Sequence, residues 1–238
     1  NSLEEAELIK LFNNTYRDAS FAIANTFNQI AQTFNVDGCE VISKANYNYA
    51  RSAIPRPGFV AGPCLEKDAY ILSSNMDEGD LKNFLLSIRR ANENLESMVS
   101  VYIKSFLAKD SNRKILITGI SFKGVPKTND LRGSSAINIL SSLADYTESL
   151  TIHDFMNSKK DLENNVGLLC IEPEEIYHQP SVSYDYVVIL NNHPNYKSLK
   201  MKQFVAEQIE MGAVILDSWG VMDLPGQLTL SNLFIKEN

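Results

Sequence analysis

The stretch Lys109-Asp-Ser-Asn-Arg-Lys-Ile-Leu-Ile-Thr118 separates two patterns and decides the fold. Before it, apolar residues recur at three- and four-residue steps, which is typical of helices. Within it, Asp110-Ser-Asn112 interrupts the helical pattern, and Lys114 to Thr118 is a short run rich in β-formers. The sequence therefore predicts a domain boundary here, with an all-helical domain over residues 1–109 and a second domain over 110–238.

The first part of the chain predicts helices and one long loop. Long helices are expected at 3–35 and 80–108, with a short helix near 64–73. Residues 46–63 contain several prolines and glycines and must be a loop. An apolar stripe marks the first helix, and Phe21 and Ala24 lie off it, so we expect two buried faces. The stripe consists of Ala19, Ile23, Phe27, Ile30 and Phe34.

The second part alternates short apolar runs with helical stretches. The runs are Lys114 to Thr118, Thr151 to His153, Leu168 to Ile171, Tyr186 to Leu190 and Ala213 to Leu216. Strands that alternate with helices favour a parallel, doubly wound sheet. The predicted fold class is α/β, an all-helical domain followed by a Rossmann-like parallel-sheet domain.

Composition excludes several classes of function. The 238 residues are 44% hydrophobic and carry a formal net charge of -7, which disfavours general nucleic-acid and anionic-membrane binding. The longest apolar runs are too short to span a bilayer. Cys39, Cys64 and Cys170 are widely spaced and the histidines lack ligand spacing, so neither a disulfide framework nor a metal site is expected. Reduced thiols favour a cytoplasmic location.

The segment Gly62-Pro-Cys64-Leu-Glu-Lys-Asp68 is the first candidate for chemistry. Glycine and proline deliver the chain to a helix start, with Cys64 at or near the first turn. Unpaired N–H groups and the helix dipole there favour a thiolate, the form that attacks an aldehyde carbon. Asp68, four residues on, shares a helix face with Cys64. The alternative is a cysteine that is simply buried at a loop–helix junction.

Lys10 and Asn14 form a second candidate pair. They are four residues apart on one face of the first helix. A lysine and an asparagine that face a tetrahedral oxyanion would stabilise its charge. This interpretation requires the fold to bring them to Cys64; otherwise they are two polar residues on a solvated face.

A strand–loop–helix unit is the third candidate. The run to Thr118 continues into Gly119-Ile-Ser-Phe-Lys123-Gly124, and a helix opens near Arg132. Two cations and a helix N-terminus suit a phosphate. No Gly-Lys-Ser/Thr follows the loop and no GxGxxG occurs in the chain, so neither a Walker loop nor a dinucleotide fingerprint is present.

Together these segments resemble the UDP-glucose/GDP-mannose dehydrogenase family along the whole chain. The Gly62–Asp68 segment is similar to the family's cysteine motif and is the most specific match. The other matches are Glu5–Lys10 with Asn14–Asp18, Phe122-Lys123 with Thr128–Ser134, and the strands Tyr186–Leu190 and Val214–Asp217. Within the family, the chain leans toward the UDP-N-acetylmannosamine branch.

The resemblance implies an oxidoreductase that oxidises the C6 alcohol of a UDP-sugar to the carboxylate with two NAD. Cys64 would form a thiohemiacetal and then a thioester. Lys10, Asn14 and Asp68 would handle the oxyanion and the hydrolytic water. The resemblance assigns substrate contacts to Lys123, Arg51, Gly62 and Phe59, and the NAD phosphates to Arg132. Arg51 would enter the partner's site in a homodimer formed through the long helices.

Several features depart from the family pattern. The glycine-rich stretch before the cysteine is here Phe59-Val-Ala-Gly62, a bulkier loop. Ser218-Trp219 stands where many members carry a nucleotide-contacting arginine; Trp219 could equally belong to the core. The resemblance also implies that the NAD-binding domain is missing from these 238 residues, so the chain alone is expected to be inactive. The alternatives are a non-catalytic dimerisation or nucleotide-binding module and, less favoured, a redox-sensing thiol protein.

Overall fold

A computed structural model describes residues 2–110, 112–178 and 182–235. They form two compact units, Asn1–Glu96 with Ser231–Asn238, and Ser97–Leu230. The division falls within a long helix, and the domain boundary expected at residue 110 stays a prediction. The elements are α1 (Leu3–Thr33), α2 (Gly38–Asn46), α3 (Leu65–Ser74), α4 (Asp80–Leu107), β1 (Ile115–Thr118), α5 (Ser135–Ser142), β2 (Leu150–His153), α6 (Lys159–Val166), β3 (Tyr186–Ile189), α7 (Leu199–Glu210) and β4 (Val214–Asp217), with 3₁₀ turns at Ala144–Ser149, Glu175–His178 and Pro194–Lys197.

Local signals fix the start of α1 and its junction with α2. The Ser2 hydroxyl accepts a hydrogen bond from the Glu5 N–H at 3.2 Å, which satisfies one of the free donors of the first turn. Asp37 caps α2 in the same way through the Glu40 N–H. A side chain at Gly38 would collide with Asn28, so α2 begins directly against α1.

The two faces of α1 have different environments. The buried face carries small and amide side chains: Ala22, Ala24, Asn25, Asn28, Ala31 and Gln32. The apolar stripe is largely exposed, with Ile23 51%, Phe27 45% and Ile30 49% accessible. Of the two faces expected to be buried, only one is buried within a single chain.

The C-terminal segment packs on the α1–α2 junction of the first unit. Ser231 donates its hydroxyl to the Asp37 carboxylate at 2.7 Å, and its carbonyl accepts from the Gly38 N–H. The Phe234 N–H donates to the side chain of Gln32 at 2.7 Å. The first unit is therefore built from both ends of the described chain.

The second unit contains a four-stranded parallel sheet in the order β2-β1-β3-β4. In register, Thr118 lies beside His153 and Ile189, and Ile189 beside Asp217. The direction of strand addition reverses between β1 and β3. Ligands of open α/β sheets bind outside the carboxyl ends of the strands at such a reversal. The predicted doubly wound sheet is confirmed.

The run Leu168–Ile171 differs from its predicted state. Cys170 forms only an isolated parallel bridge with Ile152. Gly167 ends α6 in a left-handed conformation, and Pro173 lacks the N–H that a longer ladder needs. The run therefore adds a single bridge beside β2 and no fifth strand.

An apolar core packs on the sheet of the second unit. The side chain of Tyr186 stacks on Phe106 with ring centroids 4.5 Å apart.

Among the described residues, no helix combines the length and the apolar composition that crossing a membrane requires.

Candidate active site

Cys64 lies at the position that precedes α3. Its backbone is in the right-handed helical region, and its carbonyl accepts the Asp68 N–H at 3.0 Å. Gly62 has a φ of 106°, a left-handed conformation that suits glycine and turns the loop into the helix. The thiol is free and half-buried. The predicted short helix with Cys64 at its N-terminus is therefore present.

Asn14 and Asp68 are in direct contact. The Asn14 amide donates to one oxygen of the Asp68 carboxylate at 2.7 Å, and the ammonium group of Lys67 lies 3.2 Å from the other. Asp68 is 1% exposed, and a buried carboxylate requires such partners. The contact joins α1 to α3, one turn from the cysteine.

Lys10 is placed differently from Asn14. It lies one turn earlier on α1, is exposed, and forms no side-chain hydrogen bond or ion pair with another residue that the structure describes. The catalytic roles of Cys64, Lys10, Asn14 and Asp68 stay predictions.

The loop before Cys64 is held by an asparagine that the sequence reasoning missed. The Asn25 side chain exchanges two hydrogen bonds with the backbone of Gly58: its amide donates to the carbonyl at 3.0 Å and its oxygen accepts the N–H at 2.9 Å. Asn25 also donates to Asn92 at 2.9 Å. These bonds satisfy the buried backbone of Gly58, which no regular element would otherwise pair.

A buried ion pair adjoins this asparagine pair. The guanidinium of Arg89 lies 2.8 Å from the Asp18 carboxylate, and the side chains are 2% and 1% exposed. Burial raises the pKa of Asp18, although the neighbouring Arg89 opposes the shift. The signal in the sequence was spacing: Asp18 and Asn25 are seven residues apart on α1, and Arg89 and Asn92 three apart on α4, so each pair shares a helix face.

The remaining predicted contacts of the first unit lie in the loop from 47 to 62. Phe59 is 8% exposed and packs in the core, while Arg51 is exposed. Asn46 fixes the backbone around Arg51: its side-chain oxygen accepts from Ser52 at 2.7 Å and its amide donates to the Ile54 carbonyl at 2.8 Å. The substrate contacts of Phe59, Gly62 and Arg51 stay predictions.

In the second unit, the loop that follows β1 carries the two predicted cations. Arg132 is bidentate to Asp130, at 3.0 and 2.8 Å, and this pairing lowers the pKa of Asp130 to about 2. The Lys123 ammonium group lies 4.9 Å from the ring centre of Phe122. The substrate contact of Lys123 and the cofactor contact of Arg132 stay predictions.

The loops after β1 and β3 meet at the reversal point of the sheet. The Asn192 side chain accepts the Gly124 N–H at 3.0 Å, and the Asn191 amide donates to the Ser121 carbonyl at 3.1 Å. A side chain at Gly124 would collide with the backbone of His193. These contacts fix the loop of Lys123 where a ligand of this fold class is expected.

Trp219 follows β4 at the same edge and is half-buried. Its indole N–H donates to the Leu190 carbonyl at 3.2 Å, and its backbone N–H donates to Asp217 at 3.2 Å. A hydrogen bond therefore holds the polar end of the Trp219 side chain. Because part of the side chain is exposed, Trp219 is not a wholly buried core residue.

A buried chain of hydrogen bonds lies below this edge. Thr118 is 2.6 Å from His153 Nδ1 and 2.8 Å from the Tyr196 hydroxyl, and His153 Nε2 is 3.1 Å from the Pro173 carbonyl. Because burial lowers the pKa of His153 to about 4, its imidazole is neutral at pH 7. A carbonyl only accepts, so Nε2 carries the proton, Thr118 donates to Nδ1, and Tyr196 donates to Thr118.

Comparison with known proteins gives the family. Residues 4–94 match the central domain of the UDP-glucose/GDP-mannose dehydrogenase family, and residues 116–224 match its UDP binding domain. The chain belongs to this family. The resemblance inferred from the cysteine motif is confirmed.

Within the described ranges, no group of three or more His, Cys, Asp or Glu residues is placed so that it could hold a metal ion.

Individual relatives of this dehydrogenase-family chain carry related names. This chain is 28% identical over 221 residues to the UDP-N-acetyl-D-mannosamine dehydrogenase of Methanocaldococcus jannaschii. The match covers 92% of this chain and 48% of that protein. A protein of the same name from Pyrococcus horikoshii is 30% identical over 200 residues, and the match covers 82% of this chain and 43% of that protein. The solved structure of the UDP-N-acetyl-mannosamine dehydrogenase Cap5O from S. aureus gives a TM-score of 0.74 at 26% identity, covering 98% and 53%. The chain spans about half the length of these relatives.

The neutral His153 predicts a loss of stability in acid. The unfolded chain binds this proton near pH 6.5 and the folded chain near pH 4, so the unfolded state gains protons first as the pH falls. The contribution of neutral His153 to the free energy of unfolding is complete above pH 6.5. Between pH 6.5 and pH 4 this free energy falls by about 3 kcal/mol because of this group. Urea unfolding at pH 7 and pH 4, followed by Trp219 fluorescence, measures the loss.

His153→Gln should reduce this pH dependence, although it lowers stability at pH 7. His178→Gln is the matched control, because His178 is exposed, and it should keep the full dependence. An equal loss between the two pH values in the original chain and in His153→Gln would contradict the assignment.

Proposed function

We propose that this chain forms the catalytic-cysteine and nucleotide-binding parts of an NAD-dependent UDP-sugar 6-dehydrogenase. The observation that carries the proposal is the arrangement around Cys64: a half-buried thiol at the N-terminus of α3, with Asp68 one turn on and bonded to Asn14 at 2.7 Å. The reaction would convert the C6 alcohol to the carboxylate, in a cytoplasmic enzyme of polysaccharide-precursor synthesis.

The chain's residues account for the second half of this reaction. The Cys64 sulfur adds to the C6 aldehyde, forming a C–S bond and a thiohemiacetal. Loss of a hydride gives the thioester, and water then cleaves the C–S bond to release the carboxylate and restore the thiol. Lys10 and Asn14 would stabilise the oxyanion, and Asp68 would orient the water.

NAD is the hydride acceptor in this proposal. Of this chain's residues, Arg132 is the one we assign to the NAD phosphates, since its guanidinium is 78% exposed and held by Asp130. With no GxGxxG in its sequence, the chain supplies no dinucleotide fingerprint for the nicotinamide half. We therefore expect these 238 residues alone to show no turnover.

Substitution of Cys64 tests the catalytic proposal in the complete enzyme that contains this chain. Cys64→Ser should abolish carboxylate formation, because a serine hydroxyl does not ionise near neutral pH and attacks the aldehyde poorly. The first hydride transfer should continue. Single-turnover NADH formation with a UDP-sugar, together with product analysis, measures both steps.

Cys39→Ser is the matched control, since Cys39 is also a free, partly buried thiol, and it should leave the rate unchanged. Carboxylate formation by Cys64→Ser at the original rate would refute the proposal and favour the alternative, a non-catalytic module.

We assign nucleotide binding to the loops that follow the carboxyl ends of β1 and β3. The names of the relatives favour UDP-N-acetylmannosamine as the substrate. Lys123→Ala should weaken UDP binding roughly tenfold through loss of a charge-assisted hydrogen bond. Calorimetric titration with UDP, and with GDP for comparison, measures the affinity. Lys202→Ala, at an exposed position of α7, is the control; equal affinities in both variants would contradict the assignment.

A homodimer through the long helices is the assembly we propose. Apolar residues on α1 (Ile23 51%, Phe27 45% and Ile30 49%) and on α4 (Leu81 72% and Phe84 64%) are exposed in one chain. Large apolar side chains that are exposed on two long helices favour a contact with another molecule. A second copy would cover them and bring Arg51 to the partner's site.

Light scattering tests the dimer directly. The chain should have about twice its 26.7 kDa mass, and Phe27→Asp should shift it to the single-chain mass, because a buried, unpaired charge opposes association. Leu199→Asp, at an exposed residue of α7, should stay dimeric. A monomeric original chain would exclude this assembly.

A further inference from the structure

One buried side chain contacts the backbone on both sides of Cys64. An amino group of Arg89 donates to the Val60 carbonyl at 3.4 Å, and the other donates to the Leu65 carbonyl at 3.3 Å. Val60 precedes the cysteine by four residues and Leu65 follows it by one. The guanidinium therefore spans the segment that turns into α3.

Arg89 is itself held in one orientation. It donates to Asp18 at 2.8 Å, and Asn92 donates to the same carboxylate oxygen at 2.8 Å and to the Asp18 carbonyl at 2.9 Å. Its Nε lies 3.4 Å from the Glu93 carboxylate. The planar guanidinium offers five donors in a fixed arrangement, which a lysine cannot reproduce.

Stability alone does not account for a buried pair of this kind. The desolvation of two buried charges often outweighs their attraction, and well-packed apolar residues of similar volume stabilise a fold equally well. The apolar replacement would lack the donors for Val60 and Leu65. What the ion pair adds to an apolar pair is therefore a set of donors to the backbone on both sides of Cys64.

We propose that Arg89, oriented by Asp18 and Asn92, is the positioning residue for Cys64. It holds the carbonyls of Val60 and Leu65 so that the sulfur stays at the N-terminus of α3, close to Asp68. Arg89 touches no reacting atom. This inference rests on the proposed catalytic role of Cys64 for its purpose, and on the contacts above for its geometry.

The test separates positioning from stability with the double variant Asp18→Leu/Arg89→Met. Three amides report on the Cys64 segment: those of Glu66, Lys67 and Asp68, which donate to the carbonyls of Gly62 and Cys64. Their hydrogen exchange, measured by NMR on the 238-residue chain, is compared with the urea unfolding free energy of each variant. Arg90→Met, at the exposed neighbouring position, is the matched control.

The expected result is recovery of global stability without recovery of local order. The double variant should unfold at a urea concentration close to that of the original chain, while its three reporter amides exchange roughly tenfold faster. Arg90→Met should change neither quantity. Original exchange rates in a stable double variant would overturn the proposal, because the pair would then act only on stability.

A second variant covers the case in which the double variant fails to fold. Arg89→Lys keeps a cation for Asp18 but loses the fixed arrangement of donors, so the same three amides should exchange faster than in the original chain. Unchanged exchange in Arg89→Lys would overturn the proposal. Exchange requires no turnover, so this result is independent of whether Cys64→Ser abolishes carboxylate formation.

Discussion

The arrangement around Cys64 in the first unit depends on a buried charge that neighbouring side chains must compensate. Asp18 is 1% exposed, and water cannot stabilise its carboxylate there. Arg89 supplies the opposite charge and Asn92 a further donor, which fixes α1 against α4 at one register. The loop around Gly58 and the first turn of α3 then attach to this framework, so the place of Cys64 follows from a requirement for charge compensation.

In the second unit the corresponding constraint is the register of the parallel strands. Because Thr118, His153 and Ile189 end at one level, the loops after β1, β2 and β3 leave the sheet together. Their buried polar groups satisfy one another through Asn191, Asn192 and the Thr118 hydroxyl. The edge to which nucleotide binding is proposed thus consists of loops that are connected to one another by hydrogen bonds.

The sequence was sufficient where the signal was local. Periodicity placed the long helices and four strands, and glycine and proline before Cys64 placed the start of α3. That Asn14 and Asp68 belong to one site is expected only from the family resemblance, because the two helices that carry them are far apart in sequence. Their direct hydrogen bond is not predicted. The roles of Asp18, Asn25 and Arg89 are not predicted, because spacing shows which residues share a helix face but not whether that face meets water or another helix. The prediction of a strand at Leu168–Ile171 is wrong, because its apolar content does not reveal that only one of its residues pairs with the sheet.

The return of Ser231 to the α1–α2 junction has a topological consequence. The polypeptide passes out of the first unit after Glu96 and re-enters it at Ser231, so the sheet-containing unit is an insertion with two covalent attachments. A protease that cuts near Ser231 leaves the two units joined through α4 and separates only the short segment that packs on the α1–α2 junction. Release of the inserted unit from the rest of the chain therefore requires cleavage at both passages.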